Sequence, residues 1–211
     1  DTVRYPLYHG MGPASWKSFR DTMIASAPGE GLWTPGSQRK YVEVWYEAEA
    51  MTGQFIEYVA KPYRMTLRPF RGDYTISPKW DAAQDIRRMA GAGREVTICY
   101  FGDDDLKGKQ IPRSAVKDVR RWAGAHDFEF VHGGLSTEQS EKLKLPENPD
   151  RPGQHQWEAL SDVQARKIIM ETIEANVDVP ALTAEIEIAD RKRARWLKRA
   201  EMALVELGDE D

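Results

Sequence analysis

The run Glu95–Phe101, EVTICYF, constrains the fold more than any other part of this chain. It is apolar almost without interruption and rich in β-branched and aromatic side chains, so it reads as a strand with no face left for solvent. Strands of that kind belong to parallel sheets whose two faces are covered by helices. The remaining sequence supplies such units. KYVEVWY (Lys40–Tyr46) reads as a second strand. EAEAMTGQFIEYVAKPY then places Met51, Phe55, Ile56 and Val59 at helical spacing, with Pro62 predicted to end the helix. RMTLRPF is a short strand followed by the turn Arg71-Gly72-Asp73. Ser77 as cap and Pro78 in the first turn open a helix through Trp80, Ala83, Ile86 and Met89 to the Gly91-Ala92-Gly93 stop. A third helix is predicted from about Lys109 to Ala123, and DFEFVH is a fourth strand.

The expectation is therefore an α/β fold: a Rossmann-like parallel sheet of about four strands, helices on both faces, and a C-terminal helical extension. Right-handed crossovers would set every strand's carboxyl end on one rim, where ligands bind in such sheets. Residues 1–40, rich in Gly, Pro and Ser, read as an irregular arm left from a longer chain. Residues 41–145 form the predicted core. Residues 146–211 form a loop and two helices, about Ser161 to Asn176 and from Pro180 to Leu207, which pack on the core or mediate dimerisation. In the last helix Leu182, Ile186, Ala189, Arg193, Trp196, Ala200, Ala203 and Leu207 recur close to a heptad seam. Its middle is crowded by Arg191, Lys192, Arg193, Arg195, Lys198 and Arg199, a solvated basic face or a contact for a DNA backbone.

Acidic residues occupy two of the predicted strand ends. Glu47 directly follows VEVWY, and Asp103, Asp104 and Asp105 directly follow EVTICYF. In extended backbone, residues two apart point the same way, so Asp103 and Asp105 can converge while Asp104 points elsewhere. If the two strands are neighbours, Glu47 completes a patch of three carboxylates. Like charges so close resist joint ionisation, and a hard divalent cation removes that cost. Mg²⁺ fits, with Mn²⁺ as a substitute, since it takes a few carboxylates and then phosphate oxygens. Gly102 and Gly108 are expected to let the loop fold around the ion. A solvated acidic loop is the plainer reading of DDD. Receiver domains and some phosphatases also gather acids at strand ends, but the partner Lys or Thr they need is not identifiable here.

A strand ending in Glu, then a strand followed by DxD and a nearby Gly, resembles the signature of Toprim domains. The likeness is greatest to the A subunit of type IIB topoisomerase (topoisomerase VI) and the related protein that makes meiotic double-strand breaks. It runs from about Val42 to Asp178 through EVWYEAEAM, RGDYTIS, YFGDDDLKGKQIPR, GGLSTEQSEKLKLP and QWEALSDVQARKII. Leu106 stands where the family has Pro, Asp73 where it has an aromatic, and Gln156-Trp157-Glu158 where it has Glu-Leu-Asp. The resemblance implies Mg²⁺ held on Glu47, Asp103 and Asp105, and phosphodiester cleavage or nicking of DNA. It also implies a winged-helix domain with an attacking tyrosine. The residues before Glu47 are too few for that domain, and Tyr5 and Tyr8 match no motif, so a missing domain or partner is expected. Homodimers are common among these relatives.

Arg71, on the predicted acidic rim, is a candidate for gripping phosphate, and Lys107 and Lys109 for neutralising a DNA strand. Each has an ordinary alternative as an ion pair or a surface charge, and Arg113 is a weaker candidate. Trp45, Trp80 and Trp122 are expected in the core, and His9, His126, His132 and His155 show no ligand spacing. With 30 basic and 34 acidic residues, the chain has no general attraction for phosphate, so nucleic-acid binding must use a local basic surface. No stretch approaches the roughly 18 apolar residues of a membrane span, and the lone Cys99 fits a reducing cytoplasm. The sequence thus supports a metal-dependent DNA-cleaving enzyme. The alternative is a non-catalytic module of the same fold that binds DNA or a partner protein.

Overall fold

The computed structural model describes residues 38–70 and 76–208. Of these, 38–183 belong to one compact unit and 184–208 to a second. Most of the predicted N-terminal arm lies outside the described residues. The order is β1 (Lys40–Tyr46), a helical segment α1 (49–63), β2 (Thr66–Pro69), α2 (Ile76–Gly91), β3 (Glu95–Phe101), α3 (Leu106–Ala123) and β4 (Glu129–Gly134). Then come α4 (Thr137–Leu143), a 3₁₀ turn (Trp157–Ala159), α5 (Asp162–Asn176) and α6 (Val179–Gly208). The four strands form one parallel sheet in the order β2-β1-β3-β4. This is the expected α/β architecture, helices on both faces included.

Side-chain alternation along the two central strands builds both cores. Tyr41, Trp45, Ile98 and Tyr100 face Ala83 and Ile86 of α2 and Ile111, Ala115 and Val119 of α3. On the opposite face Tyr46 stacks on Phe55 of α1 at 4.7 Å, and Phe55 and Trp157 both meet Phe101. α5 closes this second face over β3 and β4. Each such ring contributes about 1.5–3 kcal/mol by leaving water.

Local signals are modified in places. Pro62 lies inside α1, which ends only at Tyr63, with Arg64 in the left-handed region at φ 51°. The π turn Ile56–Ala60 just before Pro62 widens the helix where the ring would strike a carbonyl. Ser77 is already helical rather than a cap. α3 begins at Leu106, three residues before its predicted start, because Asp105 caps it. Trp45 is fully buried, but Trp80 is 48% exposed, its edge against Trp122 at 5.9 Å. Among the described residues no helix is long and apolar enough to cross a membrane.

Candidate functional site

β1 and β3 lie side by side in register, Tyr46 opposite Phe101, so Glu47 and Gly102 leave the sheet together. From β1 the chain crosses first to β2 on one side and later to β3 on the other. The carboxyl ends of β1 and β3 therefore flank the sheet's topological switch point, the usual place for a ligand in such folds. The ladder continues past the strands. Glu47 N donates to Phe101 O at 3.0 Å, Gly102 N to Gly134 O at 2.7 Å, and Leu135 N to Gly102 O at 2.6 Å. The acidic loop thus starts from a backbone held on both sides.

Glu47 and Asp103 meet. The Asp103 N–H donates to Glu47 Oε2 at 3.2 Å, and Asp103 Oδ1 accepts from the Trp157 N–H at 2.8 Å. Asp105 Oδ1 accepts from Gly108 N at 2.6 Å, making Asp105 the N-cap of α3. Asp104 turns the other way and is buried, its Oδ1 bound by Lys109 at 2.8 Å and Thr137 at 2.9 Å. Asp104 thus has partners that neither Asp103 nor Asp105 shares.

Electrostatics tie the acids together. Burial, then the charges of Asp103 and Asp105, push the Glu47 carboxyl up to about 7 against the pull of the Asp103 N–H. Asp103 is also raised, by burial and by Glu158 and Asp105. Burial also works on Asp104, but Lys109 and Thr137 outweigh it and hold that carboxyl low. Burial therefore raises Glu47 and Asp103, while ion pairing holds Asp104 down.

Two glycines make the arrangement sterically attainable. A Cβ on Gly102 would lie 2.7 Å from the Tyr100 hydroxyl and 2.8 Å from Glu47 Oε2. A Cβ on Gly108 would lie 2.0 Å from the Asp103 carbonyl oxygen. Gly108 is a residue of α3, so both serve close approach and not a flexible loop.

The donor chemistry fits a hard divalent cation: three carboxylates, each with one oxygen engaged by a backbone N–H. As the side chains stand, no three His, Cys, Asp or Glu among the described residues form a ligand cluster, so side-chain rotation would have to accompany binding. Of the basic candidates, Arg71 lies outside the described residues. Lys107 is exposed in the first turn of α3, whereas Lys109 is engaged by Asp104 and Thr137. Sequence reasoning missed Asp104 as a clamp, the Tyr100 hydroxyl beside Glu47, and the nearness of Glu158 to Asp103. Trp157 and Glu158 also line a cavity of about 410 Å³ with Met51 and Gln54 of α1.

No protein-family model matches this chain, and no curated protein or solved structure matches it either.

Proposed function

We propose that this chain is the metal-binding part of a Toprim-type protein that cleaves or nicks nucleic-acid phosphodiesters through Glu47, Asp103 and Asp105. One observation carries the reading. At the switch point of a parallel sheet, Glu47 accepts from the Asp103 N–H, and burial with the charges of Asp103 and Asp105 raises its carboxyl to about 7. A carboxyl perturbed by burial and by neighbouring acids in such a crevice is a candidate working group. Bound Mg²⁺ or Mn²⁺ would supply charge neutralisation at the scissile phosphate. Asp103 and Asp105 each keep one oxygen on a backbone N–H, of Trp157 and Gly108, and would turn the other toward the cation. Glu47, poised near neutrality, suits proton transfer at the sugar 3′ oxygen. Tyr100 beside it is buried, with its phenol pushed far above the usual range, the opposite of an attacking phenolate. The nucleophile in this reading is water, or a tyrosine from another domain or partner. A second copy of the chain, joined through the α6 seam, would bring two sites to two strands.

The test is nicking of supercoiled plasmid with Mg²⁺ or Mn²⁺. Joint Asp103→Asn and Asp105→Asn changes are expected to lower the rate by about 10²–10³-fold, and unchanged nicking would sink the proposal. The engaged oxygens favour a second reading, a non-catalytic module of this fold. It predicts DNA or partner binding with no cleavage in either metal.

A further inference from the structure

The outer face of α3 carries an unbalanced charge. The helix holds six basic residues and one acidic residue in a chain that is net acidic. Lys109, Arg113, Lys117, Arg120 and Arg121 fall within about a third of the helix circumference at 100° per residue. That arc lies opposite the face formed by Ile111, Ala115 and Val119, which is buried against the sheet and α2. The lone acid, Asp118, is taken by buried Lys79 of α2 at 3.1 Å and does not offset the stripe. Arg120 is partly spent on Asp127 and Phe128, but Lys107, Arg113, Lys117 and Arg121 are exposed and make no ion pair among the described residues. The helix starts at Asp105, so the stripe leads directly away from the acidic rim.

We propose that this face of α3 is a track for a nucleic-acid backbone, holding the strand whose phosphodiester lies at Glu47 and Asp103. From Lys109 to Arg121 it runs about 18 Å at 1.5 Å per residue, or roughly five nucleotide steps at 3.4 Å each. The contacts would be to phosphates, so they would bind without reading sequence. The spacing of Arg113, Lys117 and Arg121, one turn apart each, keeps all three against one groove wall. The role of the track in catalysis rests on the reading of the acidic site, but its binding does not.

Binding of fluorescent duplex DNA and duplex RNA, each about 20 base pairs, would be followed by anisotropy with the full chain in EDTA across a salt series. Joint Arg113→Glu, Lys117→Glu and Arg121→Glu changes are expected to weaken binding at least about tenfold. They should also flatten the log–log salt slope by about 2.7, from 0.9 per lost phosphate contact. The milder Gln triple should show the same slope change with an unaltered melting curve. Charge reversal at Arg191, Arg195 and Arg199 of α6 should leave affinity within about twofold. The track is refuted if the α3 variants bind like the parent, or if only the α6 variant loses binding. Track-dependent binding without metal-dependent nicking would remove the cleavage reading and leave the track standing. Nicking with a dispensable α3 face would do the reverse.

Discussion

Glu43 and Glu47 lie four residues apart on one strand and its end, and point toward the same face of the sheet, yet they live in opposite circumstances. Glu43 is completely buried, which raises its carboxyl, but partners surround it: Arg68 pairs with it, the Trp45 indole donates at 2.8 Å, and the Tyr41 hydroxyl at 3.1 Å. Arg68 in turn binds Asp85, which also holds Arg88, so the charge is passed out to the surface through α2. Glu47 is only half-buried, but among the described residues its neighbours are acids, a phenol and one backbone N–H. A buried carboxylate with a cation is architecture. A partly buried one crowded by other carboxylates stays ionised near neutral pH only with help, and that difference makes the rim a place for a ligand.

The contrast is sharpened most by removing the answered acid. Glu43→Ala leaves Arg68 desolvated against one remaining carboxylate and is expected to cost about 3–5 kcal/mol in urea unfolding. A loss under 1 kcal/mol would show that Arg68 escapes to solvent and that the network is dispensable. Asp104→Ala is next. It strips Lys109 and Thr137 of a buried charged partner, and about 2 kcal/mol is expected from lost charged hydrogen bonds. Because α4 is tied to the acidic loop through Thr137, hydrogen exchange in that helix should rise with it.

The smallest effect has the opposite sign. Glu47 has a folded-state value near 7, above its unfolded value near 4.5. The folded protein therefore holds that proton more tightly, and stability falls as pH rises from about 4.5 to about 7. Beyond about 7 the full penalty is present. Glu47→Gln is expected to stabilise the metal-free protein by about 1 kcal/mol at pH 8, discounted for partial solvation, and by almost nothing at pH 4. Mg²⁺ should raise the melting temperature of the parent more at pH 8 than at pH 5.5. A larger gain at pH 5.5 would remove Glu47 from the cation's neighbours.

The central strands were legible to the residue. Burial on both faces forces an unbroken apolar run, and both KYVEVWY and EVTICYF have the observed limits. The pairing of Glu47 with the aspartate loop followed from two strands being neighbours, which alternating strands and helices made the natural arrangement. The start of α3 is hidden in the sequence because Asp105 reads there as a ligand, while in the fold it is the helix cap. α4, at seven residues, is too short for periodicity to reveal, although its capping box of Ser136 and Gln139 stands in the sequence. The clamp on Asp104 depends on Thr137, 33 residues away, and no local pattern announces such a partner. Glu43 in its strand looks like an ordinary outward-facing residue until α2 and β2 enclose it.

Gly108 sets a lasting condition on how this chain can change. Even alanine there would press a methyl carbon into the Asp103 carbonyl, whereas a Cβ on Gly53, also helical, meets nothing within 4 Å. Drift can pass freely through the second position and is halted at the first. The acids could be exchanged one by one while the turn that presents them stays locked, so the shape of this rim should outlast its chemistry.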